Sequence, residues 1–124
     1  IEALVKACGV KHVRTIDPNN LKTVKETFDW AFELDEPSVI ITRWPCVLKK
    51  FSKEDKDEFK GAFMEKCTID AEKCIGCRKC IKTGCPALSY NKETRKASID
   101  KAHCVGCEVC LQTCPVNAIA KEVK

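Results

Sequence analysis

Eight of the 11 cysteines in this 124-residue chain lie between Cys74 and Cys114, in two runs. The first, Cys74, Cys77, Cys80 and Cys85, is spaced C-x2-C-x2-C-x4-C-P, and the second, Cys104, Cys107, Cys110 and Cys114, is spaced C-x2-C-x2-C-x3-C-P. Cysteines three residues apart in a tight loop can aim three thiolates at three corners of one iron–sulfur cube, leaving the fourth corner for a more distant sulfur. Four-cysteine zinc sites are the competing use of such thiols, but they pair C-x2-C knuckles rather than tripling them. A disulfide framework fits the grouping poorly, and nothing in the chain suggests secretion, so the cysteine usage implies a reducing cytoplasm.

The two runs are halves of an internal repeat. Shifted by 30 residues, Ile69-Asp70 falls on Ile99-Asp100, Cys74-Ile75-Gly76-Cys77 on Cys104-Val105-Gly106-Cys107, and Cys80 on Cys110. Cys85-Pro86 then meets Cys114-Pro115 after one extra residue in the first copy, expected to be accommodated near Gly84. Gly76 and Gly106 allow the backbone turns that a loop wrapped round a cluster demands. Pro86 and Pro115 donate no backbone hydrogen bond and hold the preceding cysteine extended, which turns its thiolate away from its own loop. The arrangement resembles the bacterial two-cluster ferredoxins, in which the fourth cysteine of each run serves the other run's cluster. The resemblance implies one 4Fe-4S cluster on Cys74, Cys77, Cys80 and Cys114, and a second on Cys104, Cys107, Cys110 and Cys85. Ile69, Ile75, Leu88, Ile99, Val105 and Ile119 are the expected packing set around them. Of the remaining cysteines, Cys8 and Cys67 read as small buried hydrophobes. Cys46 follows a strand at the end where parallel sheets commonly place function, although packing is its simpler role. His12 and His103 are isolated and read as surface residues.

The elements around these residues fall into three zones: 1–48, mixed and periodic; 49–66, densely charged; and 67–124, cysteine-rich. In the first, Asp17-Pro18 predicts an N-cap and a first-turn proline for a helix that ends at Glu36-Pro37. Leu21, Val24, Phe28, Ala31 and Phe32 share its apolar face, opposite Lys22, Lys25, Glu26, Asp29 and Glu33. Val39-Ile40-Ile41 reads as a strand of a buried parallel sheet, and with a strand over His12 to Ile16 it makes one strand-helix-strand unit. One such unit cannot close a core alone, so further strands are expected before Ile1 or in a partner; the start at Ile1 rather than Met suggests a cut inside a longer protein. The middle zone holds six lysines and five acids in 18 residues, the balance of a solvated connector. Ser52 and Asp55 predict a cap for a short helix there, with Phe59 and Phe63 on one side.

Composition closes off several classes of function. The longest uncharged run, Val109 to Ala120, is 12 residues, short of the roughly 18 that a bilayer helix requires. The formal charge of +4 lies wholly in the cysteine zone, where 10 bases face six acids, while residues 1–66 carry 12 of each. Eight thiolates and two oxidised cluster cores bring that excess to about zero, because a bound ion's own charge counts. No basic stripe interleaved with aromatics points to nucleic acid, and no amphipathic anchor points to a membrane. Lys73, Arg78, Lys79 and Lys82 nevertheless surround the first run, whereas no base stands between Cys104 and Cys114.

The chain as a whole resembles one enzyme family. Cys8-Gly9-Val10-Lys11-His12-Val13-Arg14, Asp17-Pro18, Pro37-Ser38-Val39-Ile40-Ile41-Thr42-Arg43 and Pro45-Cys46 are similar to the end of the thiamine-diphosphate domain of the indolepyruvate:ferredoxin oxidoreductase alpha subunits. The cysteine runs follow where that family carries its ferredoxin-like domain, and the x4 spacing of the first run is also like that family. The resemblance implies an α+β chain: a β-α-β fragment of an α/β thiamine-diphosphate-binding domain, then a bacterial ferredoxin-like domain with two 4Fe-4S clusters. It further implies oxidative decarboxylation of an aryl pyruvate by the full enzyme, with coenzyme A taking the acyl group and electrons leaving through the clusters to ferredoxin. A second oxidoreductase subunit is an implied partner. The Gly-Asp-Gly and Asn motif that holds magnesium and the diphosphate is absent here, so thiamine diphosphate and Mg are expected only upstream, and no catalytic residue is assigned. The alternatives are a free or fused ferredoxin-like carrier and a sister 2-oxoacid:ferredoxin oxidoreductase.

Overall fold

The computed structural model describes residues 1–46, 49–50, 52–59 and 65–122. They divide into two compact units, Ile1–Cys46 and Val47–Lys124.

In the first unit a short helix α1 (Glu2–Ala7) leads to strand β1 (His12–Ile16), helix α2 (Leu21–Phe32) and strand β2 (Ser38–Thr42). β1 and β2 pair in parallel, His12 opposite Ser38 and Ile16 opposite Thr42, so the strand-helix-strand unit implied by the sequence is present. The ends of α2 differ from the expected ones. Asp17 does not cap it: its carboxylate accepts the Asn19 N–H at 2.8 Å, an Asx turn, and Asn20 is the N-cap, accepting from the Thr23 N–H at 3.1 Å. An Asp so engaged with the residue two ahead has no lone pair aimed into the helix, and the start moves three residues on. The helix also stops at Phe32, with Glu33 as its C-cap, before Glu36-Pro37 is reached.

The apolar face of α2 is only partly buried. Thr27 is the buried residue, Val24 and Ala31 are half-buried, and Phe28 and Phe32 are exposed, their ring centroids 6.3 Å apart. Thr27 was not in the expected apolar set. A helix stripe must span at least about 100° to face a core, and what α2 buries here is the strip centred on Thr27. On the solvent edge the Arg14 guanidinium lies 3.8 Å over the Trp30 ring.

In the second unit Ser52 and Asp55 form the expected capping box for α3 (Lys53–Glu58). Phe59 is its half-buried C-cap, whereas Phe63 lies outside the described residues. The strands described in this unit make two antiparallel ladders. β3 (Cys67–Ile69) pairs antiparallel with β6 (Ile119–Lys121), Ile69 opposite Ile119. β4 (Leu88–Asn91) pairs antiparallel with β5 (Lys96–Ile99), Leu88 opposite Ile99. Between the strands run the cysteine loops, followed by a 3-10 turn (Ile81–Thr83) in the first copy and helix α4 (Val109–Thr113) in the second.

The 30-residue repeat recurs as duplicated backbone bonding. Asp70 Oδ1 accepts the Glu72 N–H at 2.9 Å, and Asp100 Oδ1 the Ala102 N–H at 2.8 Å. The Cys74 and Cys104 N–H groups donate to the Asp70 and Asp100 carbonyls, each at 3.0 Å. The Thr83 and Thr113 hydroxyls donate to the Cys80 and Cys110 carbonyls at 2.7 and 2.9 Å. The extra residue of the first copy is taken up at Gly84, which closes the 3-10 turn at φ +72. That left-handed conformation costs glycine nothing. A compensating difference follows the prolines. The Asp100 and Asp70 N–H groups both donate at 2.8 Å, to the Ala87 and Ala118 carbonyls, so Ala87 corresponds to Ala118 and the second copy is two residues longer there.

Candidate metal centre

Each cysteine loop is held between an aspartate turn and the N-terminus of a short helical segment. In the first, Gly76 at φ +66 runs directly under the β4–β5 hairpin end, where a Cβ would collide with the Arg95 backbone carbonyl. Lys96 crosses from the hairpin to donate its Nζ to the Cys74 carbonyl at 2.5 Å, and Arg78 lies 5.4 Å over the Tyr90 ring. Gly76→Ala therefore meets both a steric and a conformational penalty. A left-handed residue with a Cβ alone costs about 1–2 kcal/mol. We expect this variant to lose iron from the first run while the second keeps its share, measured as iron bound per chain.

Cys74, Cys77, Cys80 and Cys114 line a single cavity, with Ile69, Ala97, Ala118 and Ile119 among its apolar walls. Three of the four come from the first loop and the fourth from the end of α4 in the other half of the repeat. Cys77 is exposed and Cys80 buried. Burial pushes the Cys80 thiol up, while the Ala97 N–H on the Cys74 sulfur holds that thiol below its usual range. The Ala118 N–H donates to the Cys114 sulfur at 3.3 Å.

The second group is Cys104, Cys107 and Cys110, and it has a further sulfur in it. Cys67, 1% exposed, donates its N–H to the Cys104 sulfur at 3.4 Å. Cys67 and Cys110 lie in one buried cluster, with Cys104 packed against it. Burial, and then the neighbouring Cys67, push the Cys110 thiol up to about 12. Burial likewise pushes Cys67 up. Thiols so reluctant to ionise become ligands only when a bound cation takes the place of the proton, as coordination does.

Cys67, Cys80, Cys110, Ala97 and Ile119 form one buried cluster, with Ile69, Leu88, Ile99, Cys74, Cys104 and Cys114 packed on it. Of the six residues expected to pack around the clusters, Ile75 lines the first cavity while leaving 64% of its surface exposed, and Val105 is 37% exposed. Cys85 is half-buried between Gly84 and Pro86 and is not among the described residues packed on that buried cluster. Cys8 is exposed, not buried: it is the C-cap of α1, a helix with no buried residue. Cys46 is exposed beyond the end of β2. His103 is at the surface, its Nδ1 2.6 Å from Asp100. Sequence reasoning missed the company Cys67 keeps, although the 30-residue shift places it opposite Ala97, a wall of the first cavity.

The donor set and walls fit iron–sulfur clusters: four cysteine sulfurs round one apolar cavity, Cys104 and Cys110 packed together in the other half of the repeat, and backbone N–H groups aimed at sulfur; Cys85 is an expected ligand that these contacts do not bring in. Comparison with known proteins agrees. Residues 67–121 match the family model described as a 4Fe-4S dicluster domain. The chain is 36% identical over 119 residues to the indolepyruvate oxidoreductase subunit IorA of Thermococcus kodakarensis, covering 95% of this chain and 18% of that subunit. It is 35% identical to IorA of Pyrococcus abyssi over 98% of this chain and 37% identical to IorA of Methanothermobacter thermautotrophicus over all of it, again 18% of each relative. The chain thus spans less than a fifth of these curated relatives. Ferredoxin I of Desulfovibrio africanus matches with a TM-score of 0.43 and 28% identity, covering 48% of this chain and 98% of that one. Among the described residues no helix is long and apolar enough to cross a membrane.

Proposed function

We propose that this chain, similar nearly end to end to indolepyruvate oxidoreductase subunits and carrying a 4Fe-4S dicluster domain, is the electron-transfer segment of an indolepyruvate:ferredoxin oxidoreductase. When bound, two 4Fe-4S clusters supply one-electron carriers; the protein sets their position, potential and exposure. Cys74, Cys77, Cys80 and Cys114 hold the first, and Cys104, Cys107, Cys110 and Cys85 hold the second. The observation that carries this reading is the cavity on which three thiols of one run and the fourth thiol of the other converge. Zones 67–124 and 49–66 are the ferredoxin-like domain and its charged linker. Zone 1–48 is a fragment of a thiamine-diphosphate-binding α/β domain, for which the parallel β1-α2-β2 unit is support. Decarboxylation of an aryl pyruvate to an acyl-coenzyme A, with thiamine diphosphate and Mg, belongs to the parts of the enzyme outside these residues. A second oxidoreductase subunit completes it, and the cytoplasm is its setting.

Electrons leave on the first-run side, to an acidic ferredoxin. Cys77 and Ile75 are exposed there, and Arg78, Lys79 and Lys82 are exposed around them. On the second-run side Cys107 is half-buried, and the Glu108 carboxylate pairs with Lys121 at 2.6 Å. Steering between unlike charges raises association rates and fades with salt. Reversing Lys79 and Lys82 to glutamate in the cluster-loaded chain is expected to slow electron delivery to an acidic bacterial ferredoxin about tenfold or more at low salt. The salt dependence flattens with it. A stopped-flow rate and salt slope equal to those of the unsubstituted chain contradict this exit side.

A further inference from the structure

The two halves of the repeat are not equivalent around their sulfurs. Ala97 and Cys67 occupy the same place in the repeat, 30 residues apart, and their backbones play matching parts: the Cys67 N–H bonds the Cys104 sulfur at 3.4 Å, and the Ala97 N–H is the leading influence that holds the Cys74 thiol below its usual range. Both are buried, at 6% and 1% exposure. Their side chains differ. Ala97 gives the first cavity a methyl wall; Cys67 puts a thiol into the same buried cluster as Cys110, with Cys104, whose sulfur its own N–H bonds, packed against it.

A thiol that is 1% exposed has protein rather than solvent to direct its S–H at, and Cys104 and Cys110 are the sulfurs packed with it. When those two are thiolates on iron they are anionic acceptors. A weak neutral donor becomes more effective against a charged acceptor in a low-dielectric interior. Adding an electron increases the negative charge on a cluster and its sulfur ligands, so a donor there stabilises the reduced state more than the oxidised one, and the potential rises.

We propose that Cys67 is a positioning residue for the second cluster, donating an S–H hydrogen bond to its ligand sulfurs and holding its reduction potential above the value it would have with alanine there. This rests on the two-cluster reading above. The thiol adds to the charge asymmetry between the two halves of the duplicated domain, and makes an electron on the second cluster more favourable than it would be with alanine at that place. The first cluster has no such donor at Ala97.

The experiment is a redox titration, followed by electron paramagnetic resonance, of the full cluster-loaded chain and of Cys67→Ala and Cys67→Ser. Alanine is accommodated at the equivalent place, so Cys67→Ala is expected to fold and to keep both clusters. At a fixed potential near the midpoint, its second cluster should show a reduced-to-oxidised ratio about tenfold lower, which for one electron is about 59 mV. The first cluster should not move. Cys67→Ser keeps a donor and should return the potential toward the unsubstituted value. Full iron with unmoved potentials in Cys67→Ala overturns the inference. Loss of the second cluster in that variant overturns it too, by making Cys67 a ligand. An unsubstituted chain that binds a single cluster overturns it together with the two-cluster reading.

Discussion

Cys114→Ser is expected to remove the cluster of the other run. The substitution lies at the end of the second run, 40 residues from Cys74 in sequence. Its side chain nevertheless faces Cys74, Cys77 and Cys80 across one cavity. Three thiolates are left on a core that needs four. Oxygen is the harder and poorer ligand for iron held among soft donors, so the first cluster is lost or collapses to a form with fewer irons. Cys104, Cys107 and Cys110 keep their geometry, and the second cluster persists. The expected loss is about half of the bound iron, with an electron paramagnetic resonance spectrum reduced to one spin system free of coupling to a neighbour. A local reading of the motif predicts the reverse, loss of the second cluster, so which cluster survives decides between crossed and uncrossed ligation.

Stripping the iron unfolds residues 67–122. Among the described residues of the second unit, the buried apolar side chains are Cys67, Cys80, Ala87, Ala97, Cys110, Ala118 and Ile119. Only Ile119 is large, and a fully buried isoleucine contributes about 1.5–3 kcal/mol. Fixing the backbone of a single residue costs about 1–2 kcal/mol. A core of alanines, cysteines and one isoleucine cannot offset the ordering of two three- and four-residue ladders, and iron–sulfur bonds between the loops supply the difference, as zinc does in small metal domains. Prolonged anaerobic treatment with a strong iron chelator is expected to abolish the ladder signal in far-ultraviolet circular dichroism and the protection of the β3–β6 amides. Retention of that protection after iron loss contradicts a metal-dependent fold.

Much of this was legible in the cysteines alone. The spacing and the 30-residue shift mark two equivalent loops, and the structure shows the equivalence as paired Asp70 and Asp100 turns and paired Thr83 and Thr113 hydroxyl bonds. The strand-helix-strand unit was legible from β-branched runs flanking an amphipathic stretch. What was not legible depends on competition between neighbours. Asp17 and Asn20 are both able to cap, and the choice between them turns on which backbone N–H the Asp17 carboxylate can reach. The face of α2 was legible as a stripe but not as a depth, because burial of Phe28 and Phe32 depends on what stands opposite. Cys67 looked like a packing residue because its motif neighbours in sequence are not sulfurs. Only the pairing of β3 with β6 and the return of the second loop bring Cys104 and Cys110 to it. Cys8 was misjudged for the opposite reason, since buried cysteine is the common case and α1 has nothing over it at that residue.

The central claim, two cubes held by interleaved sulfurs, meets its most direct test in iron and inorganic sulfide counts on the anaerobically reconstituted chain, beside Cys85→Ser and Cys114→Ser variants. Crossed ligation predicts about eight irons and eight sulfides in the unsubstituted chain. It also predicts that Cys85→Ser loses the cluster of Cys104, Cys107 and Cys110, and that Cys114→Ser loses the cluster of Cys74, Cys77 and Cys80. A count near four, or variants that each lose the cluster of their own run, contradicts it.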